Sequence, residues 1–397
     1  MDIPDLNALF ETGSPYFTPL SAAVLILILV LLFITLLSTA GYFPVLLSIT
    51  SYTPIIARLK AKGVPYNNPE LLEGLIQSGS VQDCMSRLKN MGYLTRAPLD
   101  CTPDQAEDEL LLTWYEEVTL LRSQAPRDAW LFFDAILFFH EIARIKRILR
   151  FIHVHRAYMI MDKPELWPEG CTPDLAAKLS NVRTMNEGIR LLLETRYGQA
   201  LLDGMPRYDT EQSLFYLELA LDCMGYAELK RQMSMVQTYL ASPYREYIAV
   251  LIDIHNLRVL IRAKHSGWNP DEVPLCLVDG GQHLPMWRLT QMNEMMSVPD
   301  VVRQLIGTAY DPILSPLLRS YPSADSMLHL DLALDQYLLD TVSRLGLVYY
   351  HTGGPLLWYL VAKEYELRNI RIILSGLYEG FSPEQIIQMM VRGPEET

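Results

Sequence analysis

The sequence predicts an all-α protein: an N-terminal transmembrane helix ahead of three related helical bundles. Three observations predict it. Between Glu11 and Arg58 lie 46 consecutive residues without Asp, Glu, Lys, Arg or His. Downstream, Gly-poor and Pro-free amphipathic stretches recur, chiefly Asp128 to Met161, Asp209 to Ser242 and Asp325 to Tyr350, while strand-like alternation is scarce. Finally, the part after residue 55 matches itself three times in one order.

Composition bounds what such a chain does. Its 397 residues include 33 Lys plus Arg against 46 Asp plus Glu, and half are hydrophobic, which excludes a disordered polyelectrolyte. A net charge of -13 gives nucleic acid no general attraction, because that binding rests on neutralising phosphates with Lys and Arg, so nucleic acid is not a partner. Five Cys with no C-x-x-C pair argue against a disulfide framework or a structural zinc site and suit a reducing compartment.

Residues 1–19 read as a short extracytoplasmic tail. Residues 20–43 (LSAAVLILILVLLFITLLSTAGYF) form a transmembrane helix in contact with lipid, since 24 residues at ~1.5 Å each exceed the ~30 Å hydrocarbon core. A cleavable signal peptide would need a basic start, and the first 20 residues carry Asp2, Asp5 and Glu11 but no Lys or Arg. The first basic residues, Arg58, Lys60 and Lys62, flank the helix on its C-terminal side, which places residues 58–397 in the cytoplasm and makes the chain a single-pass protein of the cell membrane. Phe43 to Ile56 reads as an interfacial connector interrupted by Pro44 and Pro54. A second apolar block, Trp130 to Phe139, is only ten residues long and carries Asp134, so it reads as a buried helix.

The repeat is carried by three signatures. A helix ends in Leu followed five residues later by Tyr: Leu88 and Tyr93, Leu192 and Tyr197, Leu305 and Tyr310. Then come an acid, a polar or basic residue three positions on, and a base: Glu141, Arg144 and Lys146; Asp253, Asn256 and Arg258; Glu366, Asn369 and Arg371. A Gly, cap, Pro and acid corner follows at Gly170, Gly267 and Gly380, where Gly suits a left-handed helix end and Thr, Asn or Ser caps the next helix. Units two and three also share Leu217-Glu-Leu-Ala-Leu-Asp222 and Leu330-Asp-Leu-Ala-Leu-Asp335, for which unit one offers no visible counterpart. Unit one carries extra residues around His155 to Trp167. The repeats span 55–170, 171–280 and 281–397, arranged about a pseudo-threefold axis or as a short array.

Catalytic chemistry is not legible. No Gly-rich stretch continues into the Lys and Ser or Thr of a phosphate cradle, so direct nucleotide binding is not expected, and no H-E-x-x-H spacing occurs. No cofactor or metal is expected. The five Cys read as small buried hydrophobes, and Met286, Met292, Met295 and Met296 as adaptable core. Arg144, Lys146, Arg147, Arg150 and Arg156 read as a solvated or ion-paired helix face. For Glu141, Asp253 and Glu366 the default is local bonding to the residue one turn on.

The stretch Lys363 to Ile386 (KEYELRNIRIILSGLYEGFSPEQI) resembles the closing segment of the C subunit of archaeal and bacterial A/V-type ATP synthases, the relative of the d subunit in vacuolar proton pumps. Ile56 to Tyr93 is similar to that family's first repeat, including Ala57, Arg58 and Lys60 at its start. The resemblance spans about residues 50–392. It implies a funnel of three helical domains and a non-catalytic rotor-coupling subunit. Its partners would be the central-shaft subunits and the proteolipid rotor ring, with proton (or sodium) translocation coupled to ATP synthesis or hydrolysis. The membrane helix departs from the family's usual pattern. The alternative reading is a membrane-tethered helical-repeat scaffold.

Overall fold

The computed structural model describes residues 19–63, 69–155, 157, 173–235, 242–323 and 326–393, and among these it is helical with no strand. The predicted tail lies outside the described residues apart from Pro19, as do Gly170, Cys171 and Thr172 of the first corner and nearly all of the extra segment of unit one.

Helix α1 (Pro19–Thr39) is the uncharged segment and stops four residues before the expected boundary. From Val24 to Phe33 every side chain is 47–62% exposed, so no face of it packs on the body. Gly41, at φ 72°, turns the chain into α2 (Tyr42–Lys62). The expected connector is thus a helix. Pro44 sits in its first turn, where an N–H would lack an intrahelical partner anyway, and Pro54 is tolerated within it. Tyr52, Ile55, Ile56 and Leu59 recur at helical spacing and are buried, which fixes α2 to the body.

Short helices α3 (Pro69–Ile76) and α4 (Val81–Asn90) lead to α5 (Pro103–Gln124) and α6 (Arg127–His153). The apolar block from Trp130 lies inside α6 with Phe132, Phe133, Ile136 and Phe138 buried, as expected. The next group is α7 (Pro173–Leu179), α8 (Met185–Leu192), α9 (Gly198–Glu211), α10 (Phe215–Met235) and α11 (Ser242–Ser266). Here the sequence expectation of one helix from Asp209 fails, because Gln212 adopts a left-handed φ of 54° and folds α10 back on α9. The last group is α12 (Met286–Asn293), α13 (Val298–Arg303), α14 (Asp311–Leu314), α15 (Ser326–Val348), α16 (Gly354–Glu379) and α17 (Pro383–Met389).

The repeated sequences repeat local structure. Ser80, Thr184 and Ser297 each cap the helix before a signature Tyr, accepting the N–H of Asp83, Glu187 and Asp300 at 3.2, 3.3 and 3.4 Å. Leu88, Leu192 and Leu305 then anchor those helices with no exposed surface. Of the corners, the last forms as expected: Gly380 is left-handed, and Ser382 closes a capping box with Gln385 ahead of Pro383. The second differs. Asn269 accepts the N–H of Asp271 instead, and a 3-10 turn over Val273–Cys276 follows. Met292 is buried but Met296 is 89% exposed, so that cluster is only partly core. Cys84, Cys101 and Cys276 are buried and Cys223 is half-buried.

The long helices pair across repeats. α6 packs against α10, α11 against α15, and α16, near the C-terminus, against α5. Counted by the three predicted units, each partner of an acid-bearing helix comes from the next unit, and the first serves the third.

Candidate functional site

The signature side chains follow the same rotation. Tyr197 donates to Glu141 at 2.5 Å, Tyr310 donates to Asp253 at 3.0 Å, and Tyr93 donates to Glu366. The carboxylates gather further donors: Arg196 on Glu141, the His283 and Leu284 N–H groups on Asp253, and Lys363 at 2.9 Å on Glu366. The expected local bonding is corrected in this respect, since the principal partners are 56 or more residues away. Burial, then the charge of Asp253, pushes the Tyr310 hydroxyl far up, so it stays a donor. Asn256 and Asn369 each hold a backbone strand by two bonds, to Val278 (2.7 and 2.8 Å) and Val391 (2.7 and 3.2 Å).

The bases complete the pattern. Lys146 pairs with Asp222 at 2.5 Å, Arg258 with Asp335 at 2.6 Å, and Arg371 with Glu107 at 2.7 Å. Asp222 and Asp335 are the shared acids of units two and three. Glu107 on α5 is the counterpart that unit one did not reveal. Its signal was hidden because Glu107-Asp108-Glu109 keeps the acid without the Leu and Ala frame around it.

Removing any one of the three tyrosine hydroxyls takes a bond from a carboxylate. Tyr93→Phe, Tyr197→Phe and Tyr310→Phe are each expected to lower unfolding free energy by about 1.5–3 kcal/mol, measured by urea denaturation. Equal-sized losses at all three would show that the links are equivalent.

Between α6, α11 and α16 lies a cleft of about 660 Å³, also bordered by α5 and α15. Its inner part is apolar, with Leu137, Tyr247, Leu251, Leu338 and Val361. Arg150 and Arg371, with side chains 58% and 45% exposed, mark its mouth. The basic face of α6 is thereby accounted for: Arg144 and Arg147 share Asp108, and Arg150 pairs with Glu218. Arg156 lies outside the described residues. Beyond the inner end the three helix starts converge, where Phe132 stacks on Tyr244 at 4.2 Å and Tyr244 crowds Gly353 so closely that an added Cβ would meet its hydroxyl at 2.3 Å. Tyr52 of α2 reaches the same point, its hydroxyl 3.5 Å from that of Tyr244. The cleft thus closes toward α2 and opens away from it.

A family model described as ATP synthase (C/AC39) subunit matches residues 55–389, nearly all of this helical body. The chain belongs to that family. It is 25% identical over 357 residues to the C subunit of the A-type ATP synthase of Methanocaldococcus jannaschii, covering 87% of each chain. To the same subunit from Methanosphaera stadtmanae it is 25% identical over 382 residues, 94% of this chain and 96% of the relative. With that of Halobacterium salinarum it shares 32% over 181 residues, 45% of this chain and 51% of the relative.

In this C/AC39 subunit the basic residues that follow the apolar helix also meet the body. Arg58 donates to Gln124 at 2.6 Å, Lys60 lies 4.6 Å above the Tyr350 ring, and Lys62 pairs with Glu117. Two titratable groups face each other across the cleft, His140 and Glu364, 4.0 Å apart. Glu364 presents half its side chain to the cleft, and desolvation there raises its carboxyl above the ordinary range. His140, stacked on Trp114 at a ring separation of 3.7 Å, is lowered to about 4 by burial. Because unfolded His titrates near ~6.5, its depressed folded value gives stability that is present above that pH and lost as pH falls toward 4. The fold should lose about 1–2 kcal/mol between pH 7 and pH 5 from this residue, and His140→Phe should flatten that slope in urea melts.

Proposed function

We propose that this chain is a non-catalytic rotor-coupling subunit of an A-type ATP synthase, linking the central shaft to the proteolipid ring so that proton or sodium translocation drives, or is driven by, ATP turnover. One observation carries the reading: the central cleft is walled by one long helix from each repeat, closed at the end where the apolar helix attaches and open at the other. A shaft foot fits the open end, and a membrane ring fits the closed one. The apolar interior with an arginine-bearing mouth suits a helical tip with acidic flanks. Mechanical coupling asks for no nucleotide site.

In this reading the three repeats, 55–170, 171–280 and 281–397, form a funnel about a pseudo-threefold axis. The Tyr and acid links and the base and acid links, each displaced by one unit and closed by the two ends of the chain, support a ring of three over an open array. The signature residues Tyr93, Tyr197, Tyr310, Glu141, Asp253 and Glu366 then hold neighbours together, aided by Lys146, Arg258 and Arg371, while Asn256 and Asn369 hold returning chain. Residues 20–43 are a single membrane pass, with Arg58, Lys60 and Lys62 on the cytoplasmic side and the body in the cytoplasm. The relatives, C subunits of A-type ATP synthases by name, supply the complex. Pull-down on this chain from gently solubilised membranes should recover nucleotide-binding ATPase subunits together with the proteolipid. Recovery of neither would overturn the proposal.

A further inference from the structure

Helix α1 is apolar on every face. Its 19 residues Ser21–Thr39 have a mean hydropathy of 2.9, none of the span is buried, and at ~1.5 Å per residue it approaches the ~30 Å of a hydrocarbon core. Two of its four hydroxyls bond within the helix: Thr35 and Thr39 donate to the carbonyls of Leu31 and Thr35 at 2.8 and 2.9 Å. These features suit an apolar surround on all sides, which bulk lipid and the interior of a ring of membrane helices both provide.

The position of α2 separates the two. α2 enters the body at the one point where all three long helices begin: Tyr52 meets Tyr244 of α11, Tyr244 stacks on Phe132 of α6, and Gly353 at the head of α16 lies against the same ring. Ile55, Ile56 and Leu59 seat α2 there, and only Ala40 and Gly41 separate it from α1. The apolar helix is thus joined, through two residues and the α2 helix, to the closed end of the cleft, where the three walls meet near the line about which they are disposed. An anchor far from that line would sweep a circle through lipid at every turn of the rotor and strike the stationary membrane subunit; an anchor on the line spins in place.

We infer that α1 occupies the lumen of the membrane ring, packed against its inner wall of apolar helices. The inference rests on the coupling reading above, and its test separates the two. Benzophenone-phenylalanine is introduced singly at Leu25, Ile26, Leu27 and Ile28, four consecutive positions that point around the whole helix at about 100° intervals. It is introduced separately at Leu347, which is 74% exposed at the end of the body nearest α2. After irradiation of the intact complex in native membranes, all four α1 positions should give products with the ring proteolipid. Products with the stationary membrane subunit, or with lipid alone, would overturn the lumen assignment. If Leu347 still joins to the ring in that case, coupling stands and only the lumen assignment falls; if it does not, both fall.

Discussion

Asp335→Ala is expected to cost the fold about 3–5 kcal/mol, the largest stability loss of any single acid in the body. Asp335 is 3% exposed on α15. Its carboxylate receives Arg258 of α11 at 2.6 Å, Arg368 of α16 at 2.6 Å and the Tyr365 hydroxyl at 2.8 Å. It therefore joins two walls of the cleft to one another. Removing it leaves two largely buried guanidiniums and a buried hydroxyl without their shared acceptor, and breaking such a pair costs far more than the pair contributes. Arg258 keeps Asp331 at 3.1 Å, but that acid is a quarter exposed and screened. Asp331→Ala should accordingly cost no more than about 1 kcal/mol. Urea unfolding of the detergent-solubilised chain measures both, and a loss below about 1 kcal/mol for Asp335→Ala would contradict the assignment.

The pH dependence of that link has a definite sign. Burial alone would raise the Asp335 carboxyl, but Arg258 and Arg368 outweigh it and hold the group below the ordinary carboxylate range. A depressed carboxylate contributes stability present above its unfolded pKa of ~3.9 and lost as pH falls through the folded value. Asp335 thus leaves stability flat from neutral pH to about 5, where His140 is already titrating in the unfolded chain. In mild acid His140 therefore weakens the fold while Glu364, whose raised carboxyl takes up its proton more readily folded than unfolded, acts in the opposite direction, and only strong acid acts through Asp335.

The helical class and the apolar N-terminal helix were legible because each leaves a local mark: a helical period and an uncharged run. Glu141, Asp253 and Glu366 were visible as repeated positions for the same reason. Their partners were not visible, because a Tyr and an acid in one unit read as neighbours when each in fact bonds into an adjoining unit. Glu107 stayed hidden since only its charge, and not its surroundings, repeats. The cleft was illegible altogether. Leu137, Leu251 and Val361 are ordinary core residues by sequence, and nothing in them says that the helices they sit on diverge. The break at Gln212 also escaped, because a left-handed glutamine carries no Gly or Pro signal.

Leu251→Glu is expected to abolish coupling while leaving the fold intact. Leu251 lies on α11 within the apolar part of the cleft and is only partly buried, so a glutamate there stays hydrated while the cleft is empty. An occupant that fills the cleft strips that water, and burying an unpaired carboxylate costs several kcal/mol. At 1.4 kcal/mol per factor of ten, docking should weaken by about 100-fold or more. In inverted membrane vesicles, ATP-driven proton or sodium uptake should fall at least tenfold. On the proposed non-catalytic role, the ATPase activity of the detached catalytic sector should be unchanged. Leu251→Ala supplies the comparison: it removes contact without adding charge and should retain uptake to within a few-fold. Helical content and urea midpoint of both variants close to the parent would exclude misfolding as the cause. Normal ion uptake by a folded Leu251→Glu complex would show that the shaft does not seat in this cleft.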